Sequence, residues 1–220
     1  MTLLMVLDFA AVAVFALTGA LVASRSQLDI VGFIFVACLT AVGGGTLRDV
    51  LLNREQVFWV AQPLFLAVAA VAAVVVFFAA HRLESRYRAI LWLDACALAV
   101  AVPAGVAVAV DAGAGWPVVL VMGMVTGCMG GLMRDVVCNE VPLVLKAGEL
   151  YVTAAFAGAL AAVLAGGLGR EVALALCAVG TLVLRAGSIA LGWRLPVYRA
   201  QAPRAENPKA GQGRDRKSVV

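Results

Sequence analysis

The residues able to do chemistry come in two matched sets. Arg48 and Asp49 follow the run Gly43, Gly44 and Gly45, and Arg134 and Asp135 follow Gly130 and Gly131, 86 residues further on. Both sets lie in segments otherwise apolar enough to cross a membrane, where an ionisable residue is expensive unless it has a partner and a function. Glycine frees the backbone from helical geometry. A helix unwound there exposes carbonyls that coordinate cations and, where it resumes, amide groups that favour anions. Asp8 and Asp94 repeat at the same interval. So do Thr40 and Thr126, whose hydroxyls either serve the unwound turn or bond back to their own helix. Close packing is the competing reading of the glycines, since Gly123, Gly127 and Gly131 stand at small-xxx-small spacing in a chain of 22 glycines. Non-helical backbone at membrane depth must be buried in protein or line a cavity, and the charges beside it favour a pathway.

Other chemistries find little support. The only histidine, His81, falls in a loop, so no histidine relay, catalytic triad or zinc site is expected. The five cysteines (38, 96, 128, 138 and 177) stand singly in apolar runs without CxxC spacing and read as packing residues. No cofactor and no resident metal are therefore expected, only monovalent cations in transit. Asp8 and Asp94 form an apparent aspartyl pair, but the repeat sets them toward opposite membrane faces, too far apart to share a proton. An enzyme is not expected.

The elements that must position these residues are transmembrane helices. The chain is 64% hydrophobic and 14% charged, with a mean hydropathy of +1.01. These values lie well outside the soluble range, and apolar runs near the length of a bilayer span recur throughout. The start, Met-Thr-Leu-Leu-Met, lacks a basic n-region and reads as the first span. Seven spans are expected: about Leu3–Ala23, Ile30–Arg54 broken at Gly43–Gly45, Val57–Ala80 with Pro63 in its first turns, and Ile90–Val110 kinked near Pro103. The fifth is broken at Gly130–Gly131, the sixth covers about Ala147–Ala165, and the seventh Glu171–Trp193. The fold class is thus an all-α membrane protein of two three-helix repeats, about 3–80 and 90–165, plus a seventh helix at 171–193. Three is odd, so the second repeat enters from the opposite face, the inverted plan of transporters and channels. Residues 1–193 form one transmembrane domain, and 194–220 a basic, disordered tail.

Charge sets the orientation and a first view of the pathway. Arg25, Arg82, Arg86, Arg88, Lys146 and seven basic tail residues share one side, against Arg54 and Arg170 on the other. The positive-inside rule then puts the N-terminus outside and the C-terminus in the cytoplasm. The tail can touch anionic lipid headgroups, and nothing marks it for nucleic acid. Arg185 is expected to snorkel from helix 7, and Trp59, Trp92, Trp116 and Trp193 to anchor span ends. At about 1.5 Å per residue, Asp8 and Arg48 reach the same outer half of the membrane, and symmetry pairs Asp94 with Arg134 in the inner half. That pairing leaves Asp49 and Asp135 uncompensated and favours cations. Arginines that clamp a carboxylate, with Asp49 or Asp135 on an amine, would instead suit a secondary transporter of a small zwitterion such as glycine.

The doubled Gly-Gly-x-x-Arg-Asp signal at fixed spacing, within two three-helix units and a seventh helix, resembles the trimeric intracellular cation (TRIC) channels, most of all their bacterial members. The resemblance covers about residues 1–193 and implies a homotrimer in the inner membrane. It implies one potassium-conducting pore per subunit, kinked at helices 2 and 5. By position it makes Gly43–Gly45, Arg48, Asp49, Gly130, Gly131, Arg134 and Asp135 the pore elements, supported by Asp8, Asp94, Thr40 and Thr126. Met129 stands where the first copy has Gly43, which shortens the second glycine run. The same family includes small bacterial proteins associated with glycine movement, which keeps the transporter open.

Overall fold

A computed structural model describes residues 3–82 and 86–198, the side chains of 3 and 4 excepted. The described residues form eight α-helices: α1 Leu3–Arg25, α2 Ile30–Leu51, α3 Phe58–Ala61, α4 Leu64–Ala79, α5 Arg86–Asp111, α6 Trp116–Val137, α7 Val152–Leu164 and α8 Arg170–Ala190. Three short 3-10 turns, at Ala80–Arg82, Leu143–Leu145 and Gly166–Leu168, link them. Six helices are long and apolar enough to span a bilayer, and α7 is a shorter apolar helix. Most of the expected tail, 199–220, lies outside the described residues. The ordered chain does run past Trp193: Leu195 donates its backbone N–H to the Gly148 carbonyl at 2.9 Å, beside a bridge between Glu149 and Arg194.

Two expected spans differ. The third is cut at Gln62–Pro63 into the single turn α3 and the long α4. Proline disfavours helical backbone at the residue before it and has no N–H to donate. The sixth begins later than expected, at Val152, because Leu143–Leu145 forms its own turn and Gly148 takes a positive φ of 81°. The two irregular stretches occupy equivalent places in the repeats. Pro103 does not break α5, which runs unbroken to Asp111.

Small side chains let the helices approach closely. Ala16, Ala20, Ala23, Ala37, Ala69, Ala97, Ala155 and Ala159 are all fully buried. α5 lies at the centre, packed against α1, α6, α7 and α8. Phe35, Val71, Phe78, Val179 and Leu182 face outward, as expected where the surrounding solvent is lipid. Helix ends gather in two sets. Arg25 at the end of α1 pairs with Glu140 after α6, and Lys146 bonds Tyr87 of α5. Arg170 at the start of α8 pairs with Asp111 at the end of α5.

Candidate functional site: two buried arginine clusters at a helix crossing

The glycines do not break their helices. α2 continues through Gly43–Gly45 and α6 through Gly130–Gly131, and none of these five has a positive φ. The expected unwinding is therefore corrected: the missing Cβ atoms are used for close approach. A Cβ on Gly44 would overlap the Thr126 carbonyl oxygen, and one on Gly130 would overlap the Thr40 carbonyl oxygen. The crossing of α2 and α6 is thus one contact made twice, with glycine and threonine exchanged between helices. Thr40 and Thr126 turn their hydroxyls back to the carbonyls of Val36 (2.6 Å) and Met122 (2.7 Å). They satisfy themselves and present backbone to the facing glycine. Gly43 faces the Met133 sulfur, Gly45 the Phe58 ring, and Gly131 the Tyr151 hydroxyl.

One turn beyond each glycine set lies a buried guanidinium. Arg48 is fully buried, with Nη1 3.2 Å from Asp8 Oδ1 and Nε 2.8 Å from Asp49 Oδ1, and it stacks on the Phe58 ring. Arg134, also fully buried, places Nη1 3.0 Å from Asp94 Oδ1 and Nε 2.7 Å from Asp135 Oδ1. The expected pairs Asp8–Arg48 and Asp94–Arg134 form. Asp49 and Asp135 are not uncompensated, however, because each arginine holds both carboxylates of its repeat. The second oxygen of Asp49 accepts the Phe58 backbone N–H at 2.8 Å, and that of Asp135 accepts the Leu143 N–H at 2.9 Å. Each aspartate thereby anchors the irregular turn that follows its helix. Arg54 adds a longer contact to Asp49 at 3.5 Å.

The two clusters are not identical. Arg134 also donates to the Thr18 hydroxyl at 2.9 Å, and buried Tyr151 brings its hydroxyl beside Gly131, next to Asp94 Oδ1. Phe65 occupies the equivalent of Tyr151 in repeat one and stacks on Phe9 instead. Asp94 is wholly buried, whereas the Asp8 side chain is 13% exposed. Asp8, Gly44, Gly45, Arg48, Phe58 and Thr126 line a cavity of about 20 Å³, room for about one water molecule. Among the described residues, Arg48 Nη2, Arg134 Nη2 and Asp94 Oδ2 are buried without a hydrogen-bond partner. Each cluster therefore keeps polar capacity for a small guest.

Several contributors escaped the sequence. Thr18 and Phe58 carry no local signal. Tyr151 is detectable only as the polar counterpart of Phe65 in the repeat. Arg185 does not snorkel: it is fully buried, pairs with Glu149 at 2.9 Å and stacks on Tyr151. It sits on the inward face of α8 one turn from buried Thr181, so no route to water is open to it.

A family model described as Glycine transporter matches residues 5–81 and again 91–167, the same 86-residue interval. A UPF0126 membrane protein of Vibrio cholerae is 35% identical over 90% of this chain and 83% of its own length. The UPF0126 inner membrane protein YadS of Escherichia coli is 36% identical over 87% of this chain and 94% of its own. Among solved structures, the TRIC trimeric intracellular cation channel orthologue from Rhodobacter sphaeroides is 41% identical and superimposes with a TM-score of 0.84. That match covers 87% of this chain and all of the solved one. With both repeats matched and the fold shared nearly end to end, this chain belongs to the bacterial branch of the TRIC channel family.

Proposed function

We propose that the chain is a monovalent cation channel, chiefly for potassium, acting as a homotrimer with one pathway inside each subunit. Residues 1–193 are the channel domain, and α2 and α6 line the pathway with Gly43–Gly45, Arg48, Asp49, Gly130, Gly131, Arg134 and Asp135. Asp8, Asp94, Thr40 and Thr126 support it. The observation that carries this reading is the charge ratio in each cluster, two carboxylates to one buried guanidinium, with only the half-exposed Arg54 reaching Asp49 besides. Buried charge of that balance attracts cations and repels anions. Two equivalent repeats with opposite entry also suit a pathway that runs between them. Kinship with solved TRIC channels points the same way. On this reading the narrow space beside Arg48, about 20 Å³, makes the conformation a closed one. The channel sits in the inner membrane among lipids, N-terminus outside and the basic tail 194–220 in the cytoplasm.

Potassium-driven membrane potential in proteoliposomes tests this reading. A channel shunts the potential with potassium alone. The family model's description favours a second reading, transport of a small zwitterion such as glycine, with an arginine Nη2 on its carboxylate. Saturable glycine uptake with no potassium shunt would establish that reading and end the channel proposal. Orientation is tested separately: an impermeant label added outside cells should reach Gly113→Cys and miss Gln27→Cys.

A further inference from the structure

The two ends of the pathway carry the same small structure in two different states. α2 and α6 stop alike, with Asn53 and Asn139 at φ of 50° and 52°. The next residue, Arg54 or Glu140, donates its backbone N–H to the carbonyl of Asp49 at 3.0 Å or of Asp135 at 2.8 Å. The last residue of α1 is Arg25 and the last of α5 is Asp111, again 86 residues apart. Each mouth therefore carries an arginine and an acidic residue at equivalent places, with the charges exchanged between them.

At one mouth the pair is made. Arg25 Nη2 lies 3.3 Å from Glu140 Oε1, and the space left among Val22, Arg25, Glu140 and Val141 is about 20 Å³. Tyr87, under the Arg25 guanidinium at 5.2 Å, adds cover. At the other mouth the equivalent residues, Val108, Asp111, Arg54 and Glu55, line an open cavity of about 760 Å³. There Arg54 turns inward toward Asp49. Asp111 is taken by Arg170, which holds its two oxygens at 2.6 and 2.7 Å. Arg170 belongs to α8, which has no counterpart in either repeat. The helix outside the symmetry is thus what separates an open mouth from a shut one.

We propose that Asp111 is a latch carboxylate, exchanged between Arg170, which holds its mouth open, and Arg54, which closes it as Arg25 and Glu140 close the other. The inference rests on the channel reading only in treating the cavity as an entrance. Exchange is energetically easy. The side chains of Arg54, Asp111 and Arg170 are 41, 43 and 49% exposed, and ion pairs at such exposure contribute modestly, the bidentate Arg170–Asp111 pair at the upper end of that range, so one replaces another at modest cost.

Labelling of a cysteine in the cavity wall, Gln56→Cys, by an impermeant maleimide tests the latch. The full-length protein is used in nanodiscs, and the rate is read in excess of the parent's own cysteines. Arg170→Gln should slow labelling by about two- to fivefold, the shift one exposed ion pair can impose. Adding Arg54→Gln should restore the rate, and Asp111→Asn should leave it at the parent value. If Arg170 merely tethers α8, Arg170→Gln and Asp111→Asn would act alike and Arg54→Gln would rescue neither; that pattern overturns the latch, as does an unchanged rate in Arg170→Gln. Potassium flux on the same variants separates the two readings. Labelling that follows the latch without any flux in the parent supports the latch and removes the channel.

Discussion

Replacing Gly44 or Gly130 with alanine tests how the crossing of α2 and α6 is built. In each case the new methyl meets a backbone carbonyl, Thr126 for Gly44 and Thr40 for Gly130, and backbone inside a helix cannot rotate away. Restoring a normal carbon–oxygen contact needs the helices to part by on the order of 1 Å. Overpacking of this kind costs about 1–3 kcal/mol, and the rigid obstacle puts both substitutions toward the upper end. At about 2–4 °C per kcal/mol for a chain of this size, each variant should melt about 4–12 °C below the parent. Gly131 is the internal control. Its Cβ would lie 3.2 Å from the Tyr151 hydroxyl and 3.4 Å from Asp94 Oδ1. Small side-chain shifts relieve that contact, and alanine's helix preference of about 1 kcal/mol offsets it, so Gly131→Ala should sit near the parent. The double variant Gly44→Ala/Gly130→Ala should lose less than the sum, because helices parted for one methyl already admit the other. Thermal melting in detergent, followed by size-exclusion profile, reads all four. Gly44→Ala melting with the parent, or Gly131→Ala falling as far as Gly130→Ala, would refute the close-approach account.

Three further outcomes concern buried charge. Arg134→Met strands Asp94 and Asp135 without their cation and should cost about 3–5 kcal/mol, whereas Arg134→Met with Asp94→Leu should cost less than the sum, measured as a double-mutant cycle. Asp8→Asn should be milder than Asp94→Asn in the same melting assay, since the Asp8 side chain is 13% exposed and that of Asp94 wholly buried. Arg185→Leu should destabilise less than Arg134→Met, because its partner Glu149 is 27% exposed and can rehydrate once released; equal losses would contradict that account.

The part of the site legible in the sequence rested on long-range symmetry. The 86-residue interval and the rise of a helix suffice to pair Asp8 with Arg48 and Asp94 with Arg134. The meaning of the glycines was not legible. A glycine that unwinds a helix and one that admits a neighbour look alike until the facing atom is known, and that atom is a carbonyl 82 residues from Gly44 and 90 from Gly130. The partners of Asp49 and Asp135 were hidden for a different reason. Adjacent residues on a helix do not normally face each other, yet the arginine side chain is long enough to fold its Nε back onto its neighbour. The second carboxylate oxygen then caps a turn eight or nine residues later, which no local pattern announces. Arg185 was misjudged because position near a helix end suggests a route to water, while rotation about the helix axis decides whether one exists. In the fold, Pro63 carried a clear signal of interruption, whereas the late start of α7 depended on a turn tied to Asp135.

The doubled contact between α2 and α6 also bears on ancestry. Each repeat contributes a glycine and a threonine carbonyl, and each receives the other's, so the surface is self-complementary in the manner of a two-fold dimer interface. A single three-helix chain holding both residues would possess everything needed to bind a copy of itself inserted the other way up. Duplication and fusion would then preserve the joint while releasing each half to diverge. Of the present differences, Tyr151 against Phe65 and Arg25–Glu140 against Asp111 and Arg54 lie outside the glycine–threonine contact, and Gly43 against Met129 borders it. By this account the crossing is the oldest feature of the molecule, and two half-chains expressed separately should assemble with each other through it.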